Sequence, residues 1–529
     1  MPDRRSRFHS GRHAGVLVPL FSIPSRASWG IGEISDIPRF AQWLDRAGLD
    51  FVQLLPVNEM QEGQSSPYSA LSAMAIDPIF ISLADVEEFE EAGGEAALST
   101  ADRSTLDDAR AATLVRYDAV RAVKARALRS AFDRFLQGRG HTRSAAARGL
   151  GEFAEREQWW LEEYALFRAL HDEHRGRYWL EWEPALRDRE PGALAAARQR
   201  LARPILYYQY LQWIADEQWR RARRACEPIG IFGDFPFMVS AHSADVWARQ
   251  DEFRLDASVG VPPDAFSETG QDWGLPLYRW DVIASRGYTW LAQRVKRSAA
   301  LFDAFRIDHL VGFYRTFYRE EDRSAHFTPE SEADQAAQGE ALMAIFAAGG
   351  SAIIAEDLGS VPDFVRQSLD SLGVPGLKVL RWEREWHEPE QPFRDPADYP
   401  ACSVAISGTH DTETLAEWWD TADGRECRAV AAIASLRRLG FPATGPYSPK
   451  IRDALLTTLF RAGSNLVILP LQDVFGWRDR INTPAVVDTQ NWTWRLPWPV
   501  DVLLAEPEAI ERAKFLSTLA RERRASVSK

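Results

Sequence analysis

Residues 304–313 read "AFRIDHLVGF", a positive and a negative side chain two residues apart in an otherwise apolar run. Side chains alternate across a strand, so Ala304, Arg306 and Asp308 share one face while Phe305 and Ile307 share the other. Seven more short apolar runs punctuate the chain: "HAGVLVPL" (13–20), "LDFVQLLP" (49–56), "IGIFGDFPF" (229–237), "SAIIAEDL" (351–358), "GLKVLRW" (376–382), "SVAISGTHD" (403–411) and "NLVILPLQD" (465–473). Amphipathic stretches such as "IPRFAQWLDRAG" (37–48) and "IRDALLTTLFRAG" (451–463) lie between them. Near-continuous apolar strands alternating with helices imply a parallel sheet covered on its faces. Eight of them predict a closed (β/α)8 TIM barrel whose functional groups sit at the strands' C-terminal ends. In such a barrel Arg306 points inward, one pleat below Asp308.

Two intervals break the alternation. Residues 84–226 are dense in Ala, Arg, Glu and Leu and predict a mainly helical insertion; 238–280 are rich in Gly, Pro and Asp and predict a long lid-like loop. The barrel then occupies 13–83 and 227–500, with flexible tails at 1–12 and 518–529 and no separate C-terminal β domain.

With 63 Lys and Arg against 76 Asp and Glu, the net charge is -13, which excludes a nucleic-acid or anionic-membrane partner. No run of eighteen apolar residues predicts a membrane span. The basic start "MPDRRSRFHSGRHAG" lacks the apolar segment of a secretory signal. Cys226, Cys402 and Cys427 are odd in number and scattered, which predicts a reducing, cytoplasmic setting. "HDEH" (171–174) is expected to be a solvated helix face rather than a metal site, and "RRARRA" (220–225) a charged helix face. His242 and His309 are left without a role. Twenty Trp, 27 Phe and 13 Tyr serve core packing, ring platforms for sugars, or both.

The acids discriminate further. An adjacent guanidinium lowers a carboxylate pKa, so Arg306 is expected to keep Asp308 ionised; a buried structural ion pair is the competing explanation. "SAIIAEDL" brings Glu356 to the same rim, and "GTHDTE" after strand seven adds Asp411 behind His410. Three carboxylates at the ends of strands four, five and seven suit glycoside chemistry, where a retaining mechanism needs one as nucleophile and one as acid then base.

Several stretches carry a family resemblance: "WGIGEISD" (29–36), "SPYSALSAMAIDPIFI" (66–81), "GDFPFMV" (233–239), "SADVWA" (243–248), "GVPPDAFSETGQDWGLPLYRWD" (260–281), "FRIDHLVGF", "IIAEDLG", "GTHD", "QDVFG" and "RINTP". In order from about residue 14 to 497, they resemble the amylomaltase, or 4-α-glucanotransferase (disproportionating enzyme), family of the α-amylase clan. The resemblance implies Asp308 as nucleophile, Glu356 as general acid then base, and Asp411 with His410 gripping the hydroxyls of the attacked sugar. It implies that Arg306 positions Asp308, that Tyr68 stacks at the attacked sugar with Ser66 nearby, and that Asp234 is a carboxylate near the site. Asp264, Gln271 and Trp273 would belong to a loop arching over the acceptor sugars and keeping water out.

There are departures. Thr412 stands where the family usually has Asn, Ala485 where Gly is common, "VVDTQNWTWR" lacks a Gly before Asn-Trp, and the 319–338 loop lacks a Gly-x-Trp segment. They bear on acceptor choice, chain-length preference and the ratio of transfer to hydrolysis. The expected activity is 4-α-glucanotransfer between maltooligosaccharides or other α-1,4-glucans, with no metal or organic cofactor. An α-1,4-glucan hydrolase on the same scaffold and an inactive glycan-binding protein are the alternatives. Oligomeric state is not legible.

Overall fold

The structure, a computed structural model, describes residues 6–8, 11–138, 144–263, 270–484, 486 and 488–526. All eight runs form strands: His13–Leu17, Phe51–Gln53, Gly230–Phe235, Ala304–Ile307, Ala352–Ala355, Gly376–Val379, Ser403–Ile406 and Leu466–Pro470. They close in sequence order into a parallel barrel, with His13 of the first paired to Leu466 of the last. The register sets Asp234 beside Arg306 and Arg306 beside Ile354. Phe305, on the opposite face, meets Phe235 and Phe346 under the helix Glu332–Ala348. The expected (β/α)8 architecture is present.

Its outer layer departs from strict alternation. Between strands six and seven only the short turn Pro396–Asp398 is helical. The helix Pro507–Ala525 covers the seam at strand one, where Trp43 Nε1 of the helix Ile37–Arg46 donates to Ala509 O at 2.9 Å. The tail expected from 518 is therefore helical to 525, with Leu519 and Ala520 buried and Arg523 donating to Phe460 O at 2.9 Å. Its apolar stripe is thin, and the Arg and Glu between those positions make the segment resemble a solvated tail. At the other end Phe8 is buried, edge-on to Phe51 and Phe232 at 6.0 and 4.8 Å, so part of 1–12 plugs the barrel rather than hanging free.

Within 84–226 the long helices Tyr117–Gln137, Ala145–Glu173 and Ala202–Ala225 dominate. Trp219 on the last donates to Leu301 O at 2.8 Å, fixing that helix to the barrel's outer layer. The "HDEH" expectation fails for its first residue. His171 is buried, stacked on Phe167 and 5.0 Å from the His242 ring, and desolvation beside Arg168 pushes its pKa down to about 3.

The lid is not a loop. Phe253–Val261 and Gln271–Tyr278 are antiparallel strands, joined by Thr316–Glu320 and Ala325–Thr328 into one four-stranded sheet. The insertion after strand three and the segment after strand four thus share a single element, and the 319–338 region is hairpin and helix rather than loop. Glycines and prolines obscured its alternation in sequence. At Gly260 the reason for glycine is direct: a Cβ there would lie 1.9 Å from Gln271 O, beside a register shift. Among the described residues no helix is long and apolar enough to cross a membrane.

If Pro507–Ala525 is a packed outer helix, Leu519→Ala will cost about 2–4 kcal/mol, the usual range for deleting a buried Leu side chain. A lowered urea midpoint would be the sign; an unchanged midpoint would restore the tail.

Candidate active site

Three barrel strands deliver acids to one rim, two of them ending one residue before the acid. Ile307 precedes Asp308, Ala355 precedes Glu356, and Asp411 lies in the turn after Ile406. Asp234 lies within strand three, level with Arg306.

Arg306 is the hub, almost completely buried at 4% exposure. Its Nε and Nη2 clamp Asp234 at 2.8 and 2.7 Å, a bidentate pairing. Nη2 also donates to Asp308 Oδ1 and to Tyr68 Oη, both at 2.9 Å, and Nη1 lies 2.9 Å from Glu356 Oε2. One cation therefore serves three carboxylates, and its tightest partner is Asp234. The ordinary Arg–Asp pair expected at 306 and 308 is corrected accordingly.

That sharing works against the ionised Asp308 expected from Arg306 alone. Burial, opposed by Arg306 but reinforced by Glu356 and Asp234, pushes the Asp308 pKa well above the usual carboxylate range. Burial also pushes Glu356 up, but Arg306, the His309 backbone N–H (2.8 Å) and a hydrogen bond from Asp308 outweigh it and leave it lowered. The two carboxyls thus titrate as a pair, with Asp308 pushed up and Glu356 held down.

His309 supplies its N–H from a left-handed backbone, φ +41°, rare for a residue with a side chain. Its ring sits 5.6 Å from Phe237 and 4.9 Å from Trp273. This residue had no role from sequence alone; here it aims Glu356 from the backbone.

Tyr68 donates its hydroxyl hydrogen to Asp234 and lies 3.2 Å from His410 Nε2, which leaves that nitrogen as the donor. The two rings stack at 5.5 Å, and Trp492 packs on both. Ser66 accepts from the Tyr68 N–H at 3.4 Å, shaping the turn rather than joining the acids.

Asp411 is held by His410, expected at the site, and by Asn482, which the sequence did not single out. Asn482 Nδ2 donates to its Oδ1 at 2.6 Å, and His410 Nε2 lies 3.3 Å from Oδ2. Burial acts against its charge, but His410 and Asn482 prevail and hold the pKa down to about 2. Asn482 lies in "RINTP", a stretch noted for resemblance, so a signal for it was present. Arg381, past the end of strand six, ties down the same turn by donating to Glu413 O at 2.7 Å. Thr412, the departure from Asn, accepts from Thr409 N–H at 3.0 Å and donates to Thr409 O at 3.1 Å. The turn thus closes on a hydroxyl.

Glu356 and Asp411 open onto a cleft of about 1200 Å³, larger than the roughly 300–1,000 Å³ common for small-molecule pockets. Gln271 and Trp273 line it from the lid sheet, linked by a 3.1 Å hydrogen bond from Trp273 Nε1 to Gln271 Oε1. Asp264 and Ala485 lie outside the described residues. Among the described residues no cluster of three His, Cys, Asp or Glu could hold a metal ion.

Comparison with known proteins gives this geometry its context. Residues 18–501 match the family model described as 4-alpha-glucanotransferase. The chain is 34% identical to a 4-alpha-glucanotransferase of Thermus thermophilus, over 92% of this chain and 95% of that one. It is 30% identical to that of Chlamydia pneumoniae, over 91% of each. The solved amylomaltase of Streptococcus agalactiae in complex with acarbose superposes with a TM-score of 0.79 at 26% identity, covering 97% of this chain and 99% of that one. With the family model spanning most of its length and relatives aligned nearly end to end, the chain belongs to the 4-alpha-glucanotransferase family.

Proposed function

We propose that the chain transfers segments of α-1,4-glucan between maltooligosaccharides by double displacement on Asp308. The observation that carries this is that one guanidinium holds both carboxyls, Arg306 Nη2 donating to Asp308 Oδ1 at 2.9 Å and Nη1 lying 2.9 Å from Glu356 Oε2. Inverting enzymes hold the two carboxyls roughly 6.5–9.5 Å apart to admit a water, whereas retaining ones hold them closer. Two carboxyls drawn onto neighbouring nitrogens of one guanidinium support the closer, retaining arrangement.

With substrate bound, Glu356 carries the pair's proton and Asp308 is the anion. The Asp308 carboxylate attacks the anomeric carbon of a sugar seated against Tyr68. The glycosidic C–O bond breaks, and Glu356 gives its proton to the departing oxygen. In the second half a 4-hydroxyl of another glucan loses its proton to Glu356 and attacks the same carbon, and the Asp308 ester bond breaks. Two inversions leave the α configuration. Asp411, ionised across the working pH range, and His410 accept from and donate to the hydroxyls of the attacked ring. Asp234 holds Arg306, and Arg306 holds both reacting carboxyls.

Transfer demands that a sugar hydroxyl reach the intermediate before water does. Trp273 and Gln271, on a sheet rather than a loose loop, support that role by roofing the cleft with a ring and an amide. All three cysteines are free thiols, which supports a cytoplasmic setting.

Purified protein given maltotriose alone is expected to yield glucose and a ladder of longer maltooligosaccharides; glucose and maltose with nothing longer would mean that water is the acceptor. Glu356→Gln should lower kcat by about a thousandfold, within the range for losing a general acid–base.

The pH dependence follows from the opposite shifts of the two carboxyls. Activity falls on the acid side when Glu356, with its lowered pKa, takes a second proton, and on the alkaline side when the proton held through the raised pKa of Asp308 is lost. Asp234→Asn removes a like charge and frees Arg306 for the pair, so the alkaline limb of kcat/KM should move to lower pH by about one unit. A limb that stays in place would show that Asp234 does not set the charge of the pair.

A further inference from the structure

One side chain in the cleft wall is exposed without need. Trp386, in the segment after strand six, is 56% exposed, the most exposed large apolar residue among those described, and it borders the same cleft as Glu356 and Asp411. Its surroundings are not loose. Arg384 and Phe393 pair across a hairpin, the Glu385 N–H donates to Pro392 O, and the Arg394 N–H donates to Glu383 O, both at 2.9 Å. Phe393 is buried against Trp418, with the Arg384 guanidinium 3.8 Å above its ring, and Arg384 continues to Glu426 Oε1 at 2.8 Å. The hairpin is thus anchored through Phe393, and among the described residues the Trp386 ring stacks on no other.

We infer that Trp386 is the sugar platform of an outer subsite that sets the preference for longer glucan chains. The inference rests on the transferase reading. A rigid hairpin that buries one aromatic residue and presents another to a polar cleft leaves the second ring for a ligand. In a cleft walled by carboxylates and guanidiniums, the ligand must offer an apolar face together with many hydroxyls. A pyranose does so, its C–H face against the indole and its hydroxyls toward groups such as the Gln391 amide, which borders the same wall. The cleft volume exceeds what one or two sugars need, so the chain has room to run that far.

The test compares wild type, Trp386→Ala and Trp386→Phe on maltotriose and maltoheptaose. In Trp386→Ala, kcat/KM for maltoheptaose should fall about five- to tenfold further than for maltotriose, as for one lost ring contact of about 1–1.4 kcal/mol. The difference should be carried by KM, and Phe should recover most of it. An equal loss on both substrates would make Trp386 a packing residue, and no loss on either would remove the ring from glucan binding; both overturn the inference. Calorimetric binding of maltoheptaose to Glu356→Gln, with and without Trp386→Ala, reads the platform without turnover. Weakened binding with no ladder in the wild type would sink the transferase reading alone. A full ladder with unchanged binding would sink the platform alone.

Discussion

One buried guanidinium answers to three carboxylates, and much of the site follows from that imbalance. Were Asp234, Asp308 and Glu356 all ionised around Arg306, the cluster would carry two uncompensated negative charges out of water. Removing charge from water is costly enough that a group shifts its pKa instead. The excess is met by a bidentate pairing of Asp234 with the arginine and by a raised pKa at Asp308. The cation neither serves one carboxylate nor sits idle as a core ion pair; it couples the charges of all three.

The barrel makes this possible through register. Parallel strands in a closed ladder present residues at matched heights, so Asp234 and Arg306 are neighbours by hydrogen bonding of their backbones before any side chain chooses a partner. Asp308 and Glu356 then stand just beyond their strand ends, where the backbone is still anchored. Left-handed His309 turns the chain so that its N–H meets Glu356, and the Thr409–Thr412 turn braces Asp411. These loop residues are held by the scaffold's rigidity, which is how precise sites are built on otherwise mobile connections.

The lid sheet shows the same economy in construction. Two insertions, each too short to bury a core, become stable by pairing with each other across the mouth. A two-stranded hairpin alone is marginal in water, whereas four strands with one face packed are self-supporting. A roof of this kind holds Trp273 in a fixed place over the cleft, and the separate hairpin after strand six holds Trp386 at its own wall.

Strand periodicity is local, and so the eight barrel strands, their order and the three acids at their ends were all legible from the chain alone. An alternating pattern such as that of residues 304–308 states which face a side chain takes, whatever lies far away. The family resemblance added roles to those positions. What depended on distant partners was not legible. Arg306 appeared to belong to Asp308, two residues away, because the 72 positions separating it from Asp234 are bridged only by the barrel register. His171 looked solvated until Phe167 and His242 closed over it, and the C-terminal helix looked like a tail until its thin stripe met the helix of Trp43. Asn482 reaches Asp411 across 71 residues. Sequence determines which face a residue occupies, because that is set by backbone geometry over a few positions; the tertiary structure alone decides which charges share one buried space.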